Sequence, residues 1–402
     1  MKKLFIVVLC AILFGCKKDK ADNFSDITLT EYAPVAVSKS VTKKVFVHVM
    51  PWFETPETNV PLGAWGVHWR MANRDPNVIA DGKRQIASYY YPLIGPYASG
   101  DKDVIEYQLL LMKLSGIDGV FIDWPGLRNV TDYILNARNS ESMIAQLKKV
   151  GLNYAIVYED QNLKPILDRV GQAKTDISYL ESRHFTKSNY EKINSKPLLM
   201  VFGPQALLDE ASWTDVFSVL TQKPAFFPLL YQSNKAGVNA TGEFAWVGSG
   251  NTSALTNFYN NGYAGLKITA AYPGFKDFYA AGGWPGALGW TIDHNGTNTF
   301  NTTVDLALAT SNNYLQLVTW NDYGEGTMIE PTKEFGYSFL TSLQQKLGAS
   351  AMSQAKLEMV KRLFDLRKDK ANNADAQKAL DQIFYYMVSL QFDKAQELLN
   401  RF

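Results

Sequence analysis

Cysteine is almost missing from this chain. Its 402 residues hold two, Cys10 and Cys16, and the first lies inside an apolar leader, so the mature chain can form neither a disulfide nor a cysteine metal site. Histidine is scarce as well, with four residues at positions 48, 68, 184 and 294. They show no ligand spacing, so no catalytic metal and no cofactor are expected. An excess of either charge is also lacking. The net charge of +1 creates no field for a nucleic acid. No Gly-rich phosphate fingerprint follows any strand-like run, which removes the main support for a nucleotide-binding sheet. Nor does any apolar run reach the about 20 residues that a membrane-spanning helix needs.

The longest apolar stretch, Leu4 to Phe14, follows Met1-Lys2-Lys3 and reads as a signal peptide. It ends in Leu13-Phe14-Gly15-Cys16, which is similar to the lipobox of bacterial lipoproteins and implies a lipid on Cys16. Residues 1–16 are therefore expected as a lipoprotein signal peptide, and the chain as anchored in the cell envelope, in the outer membrane. Residues 17–42 are polar, charged and without periodicity, as in a flexible tether.

The rest alternates. Eight short β-branched or aromatic runs recur at Lys44–Met50, Gly119–Asp123, Tyr154–Tyr158, Leu198–Phe202, Phe226–Tyr231, Phe244–Val247, Gly265–Thr269 and Leu315–Trp320. Amphipathic stretches such as Val104–Leu114, Thr131–Val150, Leu163–Ala173 and Leu207–Leu220 lie between them. Such alternation predicts an α/β fold with a parallel sheet, either an open doubly wound sheet or a (β/α)8 TIM barrel, and the missing phosphate fingerprint favours the barrel. The barrel is placed at residues 43–345, and residues 346–402 form a C-terminal helical extension with patterned stretches at Met352–Arg367 and Ala374–Leu390.

Active sites of such barrels gather at the carboxyl ends of the strands. Here those ends share a character: Trp52 after the first strand, Asp123 and Trp124 at the second, Glu159 after the third, Tyr272 after the seventh, and Trp320-Asn321-Asp322-Tyr323-Gly324-Glu325-Gly326 at the eighth. The long first connection adds His68 and Trp69. Carboxylates and aromatic rings thus alternate around one rim. Aromatic residues make up 13% of the chain, with nine Trp and twenty-one Tyr, and their rings can stack on the apolar faces of sugars. Glycoside cleavage needs a carboxylic acid to protonate the departing oxygen and a second carboxylate as nucleophile, base or stabiliser. Asp322 and Glu325, three residues apart beside two glycines that allow close approach of a ligand, are the candidate catalytic pair. Trp52, His68, Trp69, Asp123, Trp124, Glu159, Tyr272, Trp320 and Asn321 are the candidate substrate contacts. A glycoside hydrolase is the leading reading; the alternative is a non-catalytic surface glycan-binding lipoprotein on the same scaffold. The partner in either case is an oligo- or polysaccharide, and a monomer is expected.

From Val45 to Phe339 the chain resembles the family 99 and family 71 glycoside hydrolases. The resemblance rests on Trp320–Gly326 with Ile329-Glu330-Pro331, on Pro51-Trp52-Phe53, His68-Trp69, Tyr91 to Tyr97 with Ser99, Gly119–Trp124, Tyr158-Glu159 and Lys196–Leu199, in that chain context. It implies a (β/α)8 enzyme acting on α-linked mannans or α-1,3-glucans, of the endo-α-mannosidase or α-glucanase kind. Family 99 enzymes carry Asn-Glu-x-x-Glu. The second acid is their general acid/base, and the first helps the substrate's own 2-hydroxyl attack the anomeric carbon, with retention. Glu325 matches the second acid. Asp322 replaces the first by a side chain one methylene shorter, and the run Asn321-Asp322-Tyr323-Gly324-Glu325 is closer to family 71, whose pair acts with inversion. Retention and inversion both stay open.

Overall fold

The computed structural model describes residues 24–60, 62–128, 133–349 and 353–402. The leader and Cys16 lie outside the described residues. Eight strands form one ring: β1 Lys44–Val49, β2 Gly119–Trp124, β3 Asn153–Tyr158, β4 Lys196–Val201, β5 Ala225–Pro228, β6 Gly242–Phe244, β7 Leu266–Ala271 and β8 Tyr314–Leu317. Neighbours run parallel, with Val47 opposite Val120 between β1 and β2 and Leu199 opposite Phe226 between β4 and β5. Two parallel bridges, Phe226 with Ala240 and Leu229 with Phe244, join β5 to the β6 region. The ring closes where β8 pairs with β1, Leu315 opposite Val45. Closure leaves no sheet edge, and both faces of each strand are covered, which is why the strands read as near-continuous apolar runs.

Three strands end three residues away from expectation, the fifth strand at Pro228 rather than Tyr231. The sixth lies at Gly242–Phe244 rather than Phe244–Val247, because Gly242 is pressed between neighbours. A Cβ there would stand 2.3 Å from the Leu266 carbonyl and 2.3 Å from the Phe227 ring, so only glycine permits the approach. The eighth stops at Leu317, three residues early. Beyond it Thr319 N–H turns to the Thr327 carbonyl, starting a loop of its own.

Helices Lys102–Leu114, Tyr133–Val150, Arg169–Leu180, Glu210–Phe217, Asn251–Asn261, Asn298–Leu308 and Ser338–Leu347 surround the ring. The third begins later than the expected Leu163, since Asp168 caps it by accepting the Gly171 N–H. The helix Lys102–Leu114 is apolar around most of its circumference and is buried accordingly. Its outer face is covered by Gln354–Asp369, the first of three C-terminal helices, followed by Ala374–Val388 and Phe392–Leu399. Buried Arg367 fastens them together, reaching Glu106 with two bonds of 3.1 and 3.0 Å and Asp381 at 2.7 Å.

Residues 24–42, expected as part of a tether, instead lie along this extension. Phe24 is buried and stacks on Phe402 at 4.3 Å, Asp26 pairs with Arg401, and Val35 N–H bonds to the Val388 carbonyl. Lys39 then pairs with Asp118 at the amino-terminal edge of β2. The apolar residues Phe24, Ile27 and Val41 provide a face that a free tether would lack. Among the described residues, no helix is long and apolar enough to cross a membrane.

Candidate active site

The loop after β8 is built before any side chain of it meets a ligand. Trp320 N–H reaches the His48 carbonyl at 2.7 Å, continuing the seam between β8 and β1. Asn321 then clamps the first strand's end, accepting the Met50 N–H and donating to the Met50 carbonyl, both at 2.9 Å. Asp322 donates its own N–H to Thr319 Oγ1 and accepts the Glu325 N–H at 3.0 Å. One carboxylate therefore caps the turn that carries the other. From the β7 side, Lys276 N–H bonds to the Glu325 carbonyl and Phe278 N–H to the Gly324 carbonyl, each at 2.8 Å. His294 Nε2 donates to the Gly326 carbonyl at 2.8 Å, which fixes its tautomer, and burial holds its pKa below the usual value. Tyr279 Oη donates to Glu325 Oε1 at 2.8 Å.

Four carboxyl groups act on one another at this end of the barrel: the Glu325 charge raises Asp322, and the Glu159 and Asp322 charges raise Asp123. Among the described residues, no ion pair joins any of the four to a Lys or Arg. Burial is the main cause that lifts all four above the usual carboxylate range. For Asp322 the nearby Glu325 adds to the rise, against the N–H groups of Gly324 and Glu325. For Glu325 the Tyr279 hydroxyl opposes it. Glu325 is the more open member of its pair, half-buried where Asp322 is buried. Among the described residues, no group of three or more His, Cys, Asp or Glu could hold a metal ion.

No family model matches the chain. The glycoprotein endo-α-1,2-mannosidase-like protein of Danio rerio is 21% identical over 330 residues, covering 72% of this chain and 71% of that protein. The structure of the family 99 endo-α-mannosidase from Bacteroides thetaiotaomicron superposes with a TM-score of 0.60 at 17% identity, over 80% of this chain and 99% of that one. Its complex with bis-tris propane gives 0.59 at 18% identity, over 78% and 97%. The fold is that of the family 99 endo-α-mannosidases. A glycoside hydrolase-like protein shares it at a TM-score of 0.55 and 11% identity, over 81% of this chain and 99% of that one.

On this family 99-like barrel, the residues expected from sequence separate into two groups. Asp123, Glu159, Asp322 and Glu325 converge. Trp52 and His68 lie near them as a half-buried stacked pair, with ring centroids 4.1 Å apart. Trp69, Trp124, Tyr272, Trp320 and Asn321, the other expected substrate contacts, are buried in the packing around them. Each is at most 2% exposed. Trp69 Nε1 donates to the Tyr97 carbonyl, Tyr272 Oη to Asn251, and Trp124 packs against Tyr158 and Tyr179. Side chains alternate inward and outward at a strand end, so half of any rim motif must face the packing.

Sequence reasoning missed Tyr279 and Trp284, which stack on each other at 6.1 Å. They sit beyond Tyr272 in the loop Tyr279-Ala280-Ala281-Gly282-Gly283-Trp284-Pro285-Gly286. The Gly-Gly-Trp-Pro-Gly run was the available signal. His48 was also missed. It lies in the barrel interior with its ring edge on Trp246 at 4.8 Å, and burial lowers its pKa to about 3, so it is neutral.

Proposed function

We propose that this protein hydrolyses α-linked glycans, α-mannan first among them, with Glu325 as proton donor and Asp322 as its partner carboxylate. One observation carries the reading: Glu325 stands half-open, oriented by Tyr279, on a turn whose cap is the buried Asp322. Burial raises the Glu325 pKa, which favours the protonated form that can give its proton to the glycosidic oxygen as the bond to the anomeric carbon breaks. Water, or first the substrate's 2-hydroxyl, then supplies the oxygen that bonds to that carbon. On this reading Asp322 takes the proton released in this step. The endo-α-mannosidase relatives and the shared barrel support the substrate class.

Glu325→Gln and Asp322→Asn are each expected to lower hydrolysis about 10²–10⁴-fold with an unchanged melting temperature. A reducing-sugar assay over α-mannans, α-glucans and N-glycans measures it. Full activity of either variant on a substrate that the wild type cleaves would remove the assignment, and tight binding without turnover by the wild type would identify a glycan-binding protein instead. The anomeric configuration of the first product, read by NMR, decides between retention and inversion. We propose further that the chain works as a monomer tethered to the envelope through a lipid on Cys16. Labelling with a fatty-acid probe that is lost in Cys16→Ala is the expected result.

A further inference from the structure

Parallel strands put all eight starting ends on one face of the barrel, opposite the cleft, and that face is studded with lysine. Lys44 opens β1 and Lys196 opens β4; Lys148 and Lys149 close the helix Tyr133–Val150 that leads into β3; Lys223 stands two residues ahead of β5. Lys192 precedes a two-residue hairpin turn, Ile193 opposite Lys196, whose exposed residues Asn194 and Ser195 have φ of 51° and 65°. All six lysines are exposed. Acids at this end are already engaged. Asp118 holds Lys39, buried Glu191 holds Lys44 and the Tyr314 hydroxyl, each at 2.5 Å, Glu181 accepts the Thr221 N–H at 2.8 Å, and Asp305 holds Lys346 at 2.6 Å. Among the described residues, no ion pair joins Lys148, Lys149, Lys192, Lys196 or Lys223 to an acid.

Lysines at a helix carboxyl end offset the helix dipole, which accounts for Lys148 and Lys149. Lys192, Lys196 and Lys223 lie in no helix and have no such role. The net charge of +1 therefore hides an uneven arrangement, with unpaired ammonium groups at one end of the barrel and the carboxyl groups of the cleft at the other. The segment that leads in from Cys16 is fastened at the lysine end, where Lys113 Nζ donates to the Val35 carbonyl and Lys39 meets Asp118. Phe24 follows Cys16 by eight residues, a reach of about 28 Å when fully extended.

We infer that this amino-terminal face of the barrel, through Lys192, Lys196 and Lys223, docks on an anionic phospholipid bilayer and turns the cleft away from it. Lysine suits such a partner. Its ammonium is a point charge without the fork that grips one defined phosphate, and several of them on separate strand entrances meet a diffuse negative layer. A lipid on Cys16 would hold the domain within reach of a bilayer. The orientation rests on that reading of Cys16, whereas the affinity of the face for anionic lipid stands without it.

The test uses the chain from Lys17 onward, which keeps every described element, and sedimentation with vesicles. The protein should pellet with vesicles of about one third phosphatidylglycerol in phosphatidylcholine and stay in solution with phosphatidylcholine alone. Lys192→Gln, Lys196→Gln and Lys223→Gln together should weaken pelleting on the order of 100-fold at an unchanged melting temperature, and arginine at the same three positions should restore it. Equal pelleting with both kinds of vesicle, or undiminished pelleting of the glutamine variant, would overturn the inference. Binding to mixed-sequence duplex DNA without binding to vesicles would overturn it too and assign the face to a nucleic acid. Orientation is read on the full-length lipidated protein. A fluorophore at Asn194→Cys, on the lysine hairpin, should be quenched by spin-labelled lipid head groups, and one at Leu167→Cys, exposed on the loop after β3, should not. Equal quenching at the two sites would overturn the orientation. A product without lipid would remove the Cys16 reading and leave the vesicle assay to decide on the face.

Discussion

Glu330 accepts hydrogen bonds from Tyr97 Oη at 2.8 Å, Tyr323 Oη at 2.9 Å and Gln108 Nε2 at 2.8 Å, and is buried. It ties the loop after β8 to the first connection and to the helix Lys102–Leu114. Burial outweighs the three donors and pushes its pKa up to about 7. The folded state therefore holds a proton that the unfolded chain releases near its ordinary value of 4.5. Between those two pH values the native state binds more protons, so stability falls as pH rises through the window and the loss is complete above about 7. Glu330→Gln keeps the shape without the titration. Relative to this variant the wild type should lose melting temperature from pH 5 to pH 8, by the equivalent of on the order of 3 kcal/mol at most. Parallel thermal melts measure it; a constant difference would show that Glu330 stays ionised in the fold. The motif Ile329-Glu330-Pro331 was visible in the sequence, but its role was not. Three donors from three separate segments define that role, and separation in the chain carries no trace of it.

The element that carries the proposed acid pair is the loop from Val318 to Ile329. It leaves the β8 ladder at Leu317 and returns with Ile329 N–H on the Thr319 carbonyl at 3.0 Å. Gly326 makes the return possible. Its φ is +68°, and a Cβ would stand 2.9 Å from the Tyr90 ring and 3.0 Å from the Lys276 carbonyl. Gly326→Ala would strain the backbone and push against both neighbours, at a cost of about 1–3 kcal/mol. Because Glu325 is next in the chain, kcat should fall with the melting temperature, and a variant that lost stability alone would show that the turn is not what orients Glu325. The element order was legible beforehand, since near-continuous apolar runs and period-three-to-four stretches are local properties. The ends of β6 and β8 were not. Close approach at Gly242 and the hydrogen bond from Thr319 to Thr327 override local propensity there.

At the scale of the whole molecule, the barrel is wrapped on one side by the C-terminal helices and the segment from Phe24 to Thr42. Arg367 is a buried cation of that interface, and Glu106 has burial as its main perturbation even beside it. Arg367→Ala would leave Glu106 without its charge partner, and unfolding by urea should show a loss of about 3–5 kcal/mol. A loss under about 1 kcal/mol would mean that the pair behaves like a surface salt bridge.

Composition, periodicity and motif order by themselves determined the α/β alternation, the eight strands of a barrel and the acid pair Asp322 and Glu325, because each is written in short-range spacing. Only the tertiary structure decided which rim residues reach the cleft. It buried Trp69, Trp124, Tyr272, Trp320 and Asn321 in the packing and brought Tyr279 to Glu325 from the far end of the β7 loop. It also laid residues 24–42 along the C-terminal helices. The physical reason is the same in each case: whether a side chain faces packing or solvent depends on what distant segments cover it, and spacing along the chain does not record that.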